Sequence, residues 1–152
     1  CEFMSQVSYE FVDNSPQVLS LIEAEKKRRL NQAGKYFQSI VQEVYEGRRT
    51  GKTYNIPNSN RTYVASAKGE APASSKRTGR TGKLKNSWKL APEKEDFITD
   101  EVFIGTELNY ARFLEEGTKF MAARPHLSVA WDKALPGIKE ILSGTWNFGG
   151  TP

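Results

Sequence analysis

Cysteine is almost missing from this chain: one residue among 152, at position 1. Cys1-Glu2-Phe3 precedes the first methionine, so residues 1–3 read as an expression remnant or upstream translation, with Met4 the natural start. A chain without native cysteine holds neither a disulfide framework nor a thiolate metal site, which fits a reducing compartment. Histidine is equally scarce. His126 is the only imidazole for a triad or a zinc site, and it is expected to cap or pack where a helix begins. Long apolar runs are missing too, since no stretch approaches the ~20 apolar residues of a membrane span. Nor does a positively charged leader precede an apolar run. These absences predict a soluble protein, cytosolic when made.

Apolar residues make up only 38% of the chain, with twelve Gly and seven Pro. That composition suits one α+β domain over residues 4–143, with 48–89 as a basic loop-rich insertion and 144–152 as an aromatic C-terminal tail. A sizeable part of such a chain orders on assembly.

What the sequence does have is unevenly placed charge. Between Arg48 and Lys89 eleven Lys and Arg face one acid, Glu70, a balance of +10; the remainder has eleven bases and seventeen acids, −6, and the two sum to +4. Cations separated by Gly, Ser and Thr bury too little apolar surface to fold alone, so the block reads as a loop or arm. It is a solvated loop, a contact for DNA phosphates, or a contact for an acidic neighbour. Lys68, Lys76, Arg77, Arg80, Lys83 and Lys85 are its candidate contact residues. A second cluster, Lys26-Lys27-Arg28-Arg29, follows Glu23 and Glu25 and reads as a solvated helix face laced by i to i+4 pairs.

Val7, Tyr9 and Phe11 alternate with polar residues as a half-buried strand does. Ser15 then offers a cap and Pro16 a start to a helix whose apolar positions Leu19, Ile22, Leu30, Ala33, Phe37, Ile40 and Val44 keep helical spacing up to Gly47. At ~1.5 Å per residue it is about 45 Å long, more than a small sheet covers within one subunit. Thr53-Tyr54-Asn55-Ile56 and Thr62-Tyr63-Val64-Ala65 read as strands joined by the turn cluster Pro57-Asn58-Ser59-Asn60. Ser66 to Gly82 reads as irregular. Leu84 to Trp88 is a helical turn introduced by Thr81 or Gly82, with Trp88 a core or interface anchor. Lys89 to Glu93 and Phe97 to Thr106 form an antiparallel pair that offers Phe97, Val102 and Ile104 to the core.

Tyr110, Phe113 and Leu114 recur at three and four, so Tyr110 to Glu116 can bury one face before Gly117 supplies a left-handed stop. Pro125 then opens a last helix to about Ser143. It places Leu127, Trp131, Ala134, Leu135, Ile138, Ile141 and Leu142 on one broad face, and Pro136 kinks or splits it. Glu115 is expected to pair with Arg112 or Arg124 at the corner framed by Gly117 and Pro125. Beyond Gly144, Trp146 and Phe148 lie in a Gly-rich tail that docks on a partner or folds back.

Chemistry finds little support. Gly47-Arg48-Arg49-Thr50-Gly51-Lys52-Thr53 places three residues between its glycines where a phosphate loop needs four. Asn60-Arg61-Thr62 is a glycosylation sequon without other signs of secretion. Glu93, Glu95, Asp96, Asp100, Glu101, Glu115 and Glu116 could in principle hold a metal, but most cluster in a turn, without the apolar walls that perturb catalytic carboxylates.

Four short motifs recur in a recognisable order: Ala65-Ser66-Ala67-Lys68-Gly69-Glu70-Ala71-Pro72, Thr81-Gly82-Lys83-Leu84-Lys85-Asn86-Ser87-Trp88, Val102-Phe103-Ile104-Gly105-Thr106, and Asn109 to Leu127. Together, over roughly Arg48 to Leu142, they resemble the tail-component or tail-completion family of long-tailed bacteriophages. An apolar strand with Gly, a Tyr-Ala helix with an acid and Gly-Thr, and Ala-Arg-Pro before a C-terminal helix follow the family's order. The dense basic run Lys76 to Lys85, and His126 where a larger apolar residue is usual, depart from it.

The resemblance implies a structural subunit at the neck, not an enzyme, with no cofactor. The expected fold is a small antiparallel sheet packed against a long N-terminal helix and a C-terminal helix, with a long basic loop. The expected role is tail completion or head-tail joining, as a ring, hexameric by the resemblance, at the head-proximal end of the tail tube. Partners would be the tail tube or tail terminator, head-completion proteins and, loosely, genomic DNA, with no membrane. Such a protein resides in the virion after assembly in the host cytoplasm. Trp146, Phe148, Trp88, Tyr110, Glu115 and Arg124 are candidate interface residues. A competing reading is a non-specific nucleic-acid-binding protein using 48–89, against which stands the lack of any stacking aromatic between Ser66 and Ser87. A third is a metal-dependent nuclease through Glu115 or Asp100.

Overall fold

The computed structural model describes residues 10, 12–72, 82–91 and 101–144. The strand expected at Val7, Tyr9 and Phe11, and the turn between Glu93 and Phe97, lie outside the described residues. Within them the order is α1 (Ser15–Val44), β1 (Thr53–Asn55), β2 (Thr62–Val64), α2 (Lys83–Ser87), β3 (Lys89–Leu90), β4 (Ile104–Gly105), α3 (Tyr110–Glu116) and α4 (Leu127–Ser143). The fold is α+β: a long N-terminal helix, a C-terminal helix and small antiparallel strand pairs.

The strands form two separate two-stranded ribbons. Thr53 pairs with Val64, Tyr54 with Tyr63 and Asn55 with Thr62. The rings of Tyr54 and Tyr63 stack at 5.6 Å, the cross-strand contact expected of aromatics directly opposite each other. Lys89 and Leu90 pair with Gly105 and Ile104.

α1 starts as its proline suggests but is capped differently. Ser15 is the first helical residue rather than the cap; Asn14 holds the cap position without a side-chain bond, and the Ser15 amide donates to Asp13 Oδ1 at 2.9 Å. With the Asp13 carboxylate serving that amide and Pro16 bringing none, a hydroxyl cap is unnecessary.

α1 and α4 pack antiparallel, Tyr45 beside His126 at one end and Arg29 beside Ile141 and Gly144 at the other. The buried seam of α4 is Ala130 and Ala134, flanked by Leu127 and Ile138, against Ile40 and Val41 of α1 and Tyr45 at its C-terminal cap. This corrects the broad face expected for α4: Trp131 is 46% exposed, and Leu142 is also exposed. Alanines at the crossing let the backbones approach, and a Cβ added to Gly137 would lie 2.5 Å from the Tyr36 hydroxyl. The indole of Trp131 is left on the flank, edge-on to Phe37 at 5.5 Å. Pro136 does not split α4, which runs through it as one element. Pro125 is not its first residue either, because His126 takes the cap position and Leu127 leads. Leu84 and Trp88 complete the core from beneath α1, on the helical turn that Gly82 introduces.

Candidate functional site

The corner between α3 and α4 is built on which residues α3 buries. Ala111 and Leu114 face inward, whereas Tyr110 is 43% and Phe113 54% exposed, so of the expected apolar face only Leu114 turns to the core. An alanine lets this short helix sit close to the core, and the rings are displaced to its rim. Gly117 ends α3 with φ 78° and ψ 179°, a mirror-extended conformation reserved for glycine rather than the left-handed helical one. A Cβ there would come within 2.7 Å of the Ala123 amide nitrogen. Thr118 and Met121 close a tight bridge, and the Arg124 amide returns to the Leu114 carbonyl at 2.7 Å.

This corner delivers Glu115 to the start of α4. Its carboxylate accepts the amides of His126 at 2.7 Å, Leu127 at 2.9 Å and Ser128 at 3.0 Å, and also the Ser128 hydroxyl. The expected pairing with Arg112 or Arg124 is therefore corrected: Arg112 bonds Glu116 at 3.1 Å on the exposed side, and Arg124 contributes backbone groups. Three unsatisfied amides at the positive end of a helix outcompete a solvated guanidinium for one carboxylate. Burial acts to raise the Glu115 carboxyl, but the His126 amide, the Ser128 hydroxyl and the next two amides outweigh it and hold it at about 2.

His126 is 1% exposed. Its Nδ1 lies 3.1 Å from Glu115 Oε2 and 3.2 Å from the Arg124 carbonyl; both are acceptors, which assigns the proton to Nδ1. The ring sits 5.5 Å from Tyr45 and 5.8 Å from Trp88, and the Trp88 indole donates to the Tyr45 hydroxyl at 2.8 Å. Burial lowers the His126 pKa despite the Arg124 carbonyl and Glu115, and burial raises that of Tyr45. His126 thus packs at a helix start, as expected of it. Trp88 is buried with these rings.

The other end of α4 is held by the opposite charge. Arg29, 4% exposed, donates through Nη1 to the carbonyls of Gly144 at 2.6 Å, Ile141 at 3.3 Å and Leu142 at 3.4 Å, and through Nε to Glu25 at 2.9 Å. Hydrogen bonds from Arg28, then Arg29, lower Glu25 to about 2. Arg29 is thus no part of a solvated face. The signal was its phase: Ile22, Glu25, Arg29 and Ala33 step by three, four and four, so the two charges occupy the apolar seam.

Arg49 repeats the device, donating to the last carbonyl of α1, Val44, at 2.7 Å and to Pro72 at 3.3 Å. Glu70, the one acid of the basic block, ties two loops together by accepting the Thr50 hydroxyl and the amides of Ala67 at 2.9 Å and Thr50 at 3.1 Å. Lys85 bonds Glu46. Lys68 and Lys83 have exposed side chains. Lys76, Arg77, Arg80, Trp146, Phe148 and Asp100 lie outside the described residues.

Two further surfaces stand out among the described residues. α4 ends beside Arg29, so the first half of α1 runs past it by about 20 Å at the ordinary helical rise, carrying Leu19 at 59% and Val18 at 50% exposure. The second surface is a cleft of about 590 Å³ lined by Trp88, Leu108, Ala111, Phe113, Glu115 and His126 among others. Among the described residues no cluster of His, Cys, Asp and Glu could hold a metal ion, and no helix is long and apolar enough to cross a membrane.

The polar groups of this corner and of Arg29 hold helix ends, beside apolar surface of α1 that α4 does not cover. The family described as "Bacteriophage HK97-gp10, putative tail-component" matches residues 11–117. The chain belongs to this family of phage tail components. The match takes in all of α1, ahead of the stretch from Arg48 over which the resemblance runs, and stops at Gly117, before the Ala-Arg-Pro turn and α4. No curated protein and no solved structure matches the chain significantly.

Proposed function

We propose that this tail component is a tail-completion or head-tail joining subunit, a non-enzymatic virion protein that oligomerises into a ring at the head-proximal end of the tail tube. The observation that carries the reading is the overhang of α1. A helix of 30 residues is covered by α4 only from Arg29 onward, and the uncovered half presents Val18, Leu19 and Leu21 to solvent. A neighbouring subunit is the natural cover for such a stripe. The tail tube or terminator and head-completion proteins would then meet the outer faces of the ring.

Free-standing nucleic-acid binding is the weaker reading, because Arg49 and Lys85 are already engaged with the chain's own groups. In the ring, the basic segment that carries Lys68, Lys76, Arg77, Arg80 and Lys83 would line the lumen, touching DNA phosphates without reading sequence. Imaging particles assembled without the protein tests the role: filled heads and separate, intact tails are expected. Normally joined particles would reject it.

A further inference from the structure

We propose that the cleft beside α3 receives the C-terminal tail of a second copy of this chain, with Trp146 and Phe148 as the inserted groups. This rests on the reading of the protein as a self-assembling subunit and gives that assembly a specific contact.

The cleft is roomy enough for a large side chain at about 590 Å³, with apolar walls from Trp88, Leu108, Ala111 and Phe113. Its ionisable lining is already engaged: Glu115 with the α4 amides, Arg112 with Glu116, His126 with Glu115 and the Arg124 carbonyl. With these charges paired within the chain and apolar walls around them, the cleft suits an uncharged aromatic segment. Residues 145–152, Thr-Trp-Asn-Phe-Gly-Gly-Thr-Pro, carry two aromatics and no ionisable side chain.

Reach decides whose tail it is. The cleft lies at the His126 end of α4, and Gly144 is fastened by Arg29 at the other end. The 17 residues of α4 separate the two by about 25 Å. At most ~3.6 Å per residue puts the Cα of Trp146 within about 7 Å of Gly144 and that of Phe148 within about 14 Å. Both fall short of their own cleft even with a ring's length added, whereas a neighbour's tail meets no such limit. A donor at one end of α4 and an acceptor at the other make a head-to-tail contact, the type that closes into rings.

The test is to titrate a synthetic peptide spanning residues 144–152 into full-length chain carrying Trp146→Ala and Phe148→Ala, following amide NMR shifts. Saturable shifts at Leu108, Ala111, His126 and Leu127 are expected. The exposed change Phe113→Asp should weaken them at least tenfold with an unchanged Tm, and a peptide with both aromatics replaced by Ala should give none. Three results overturn the proposal: no saturable shift at millimolar peptide, shifts confined to another surface, or cleft shifts in dilute wild-type chain that do not depend on concentration, which would place the tail in its own cleft. Peptide binding together with normally joined particles lacking the protein would reject the joining role and leave the contact standing. The reverse pattern would reject the contact alone.

Discussion

The two halves of α1 share one helix and similar spacing of apolar residues, yet they end differently. From Arg29 to Val44 the helix is covered by α4 and tied by charge at Arg29, and by the Glu43 to Lys133 pair at 2.7 Å. From Ser15 to Arg28 it carries Val18, Leu19 and Leu21 in the open. The difference lies in length, not residue type: α4 has 17 residues against 30 in α1, and its carbonyl end stops where Arg29 receives it. A short helix laid on a long one leaves a remainder that α4 does not reach.

The largest effect is expected in the covered half. Trp88→Ala removes a buried ring and strips the Tyr45 hydroxyl of its donor; urea denaturation should show a loss of about 3–5 kcal/mol. Arg29→Ala comes next. It leaves Glu25 with Arg28 alone and three carbonyls of the α4 end without their cation, for a loss of about 2–3 kcal/mol. Arg29→Lys should recover only part of this, because an ammonium lacks the fork that spans carboxylate and carbonyls together. Unchanged stability in Arg29→Ala would mean that the α4 end holds itself, and the contrast between the two halves would lose its cause.

Much of the secondary structure was legible in advance. The hairpin at 53–64 follows from β-formers around a turn cluster, and α2 from Leu84 and Trp88 behind a glycine. Errors arose where the sequence gives periodicity but not depth. Tyr110, Phe113 and Trp131 have the right spacing and the wrong size: Ala111, Ala130 and Ala134 take the buried positions because helices at close approach exclude rings. Side chains that serve backbone across long sequence gaps were the other loss. Glu115 to Ser128 and Arg29 to Gly144 are contacts that no local pattern encodes. From sequence Glu115 reads as the partner of a guanidinium rather than of backbone amides, and Arg29 as part of a solvated face although its phase points inward.

Acid should dissect the ends of α4 in two steps. Burial depresses His126, so its neutral form belongs to the fold; stability is complete above the ordinary value of 6.5 and declines as pH drops below it, where the unfolded chain takes up a proton the folded chain refuses. Glu115 is held at about 2 against an ordinary 4.5, so its contribution is complete above 4.5 and is lost between there and about 2. Glu25 and Glu70, also held at about 2, deepen that lower step. Tm followed against pH should lose its upper slope in His126→Phe and part of its lower slope in Glu115→Gln. The latter should also cost about 1 kcal/mol at neutral pH, as loss of a helix cap does. An upper slope that survives His126→Phe would assign the titration elsewhere.

The smallest effect on the isolated chain is expected in the open half of α1, and there the comparison is sharpest. Leu19 is 59% exposed, so Leu19→Ser should move the unfolding free energy by less than about 0.5 kcal/mol. If the stripe is the seat of a neighbour, the same change should nevertheless abolish joining, with filled heads and unattached tails in the electron microscope. A variant that folds as wild type and joins as wild type would make the overhang a bystander. One that folds and fails to join would separate the half of α1 that holds the subunit together from the half that holds the particle together.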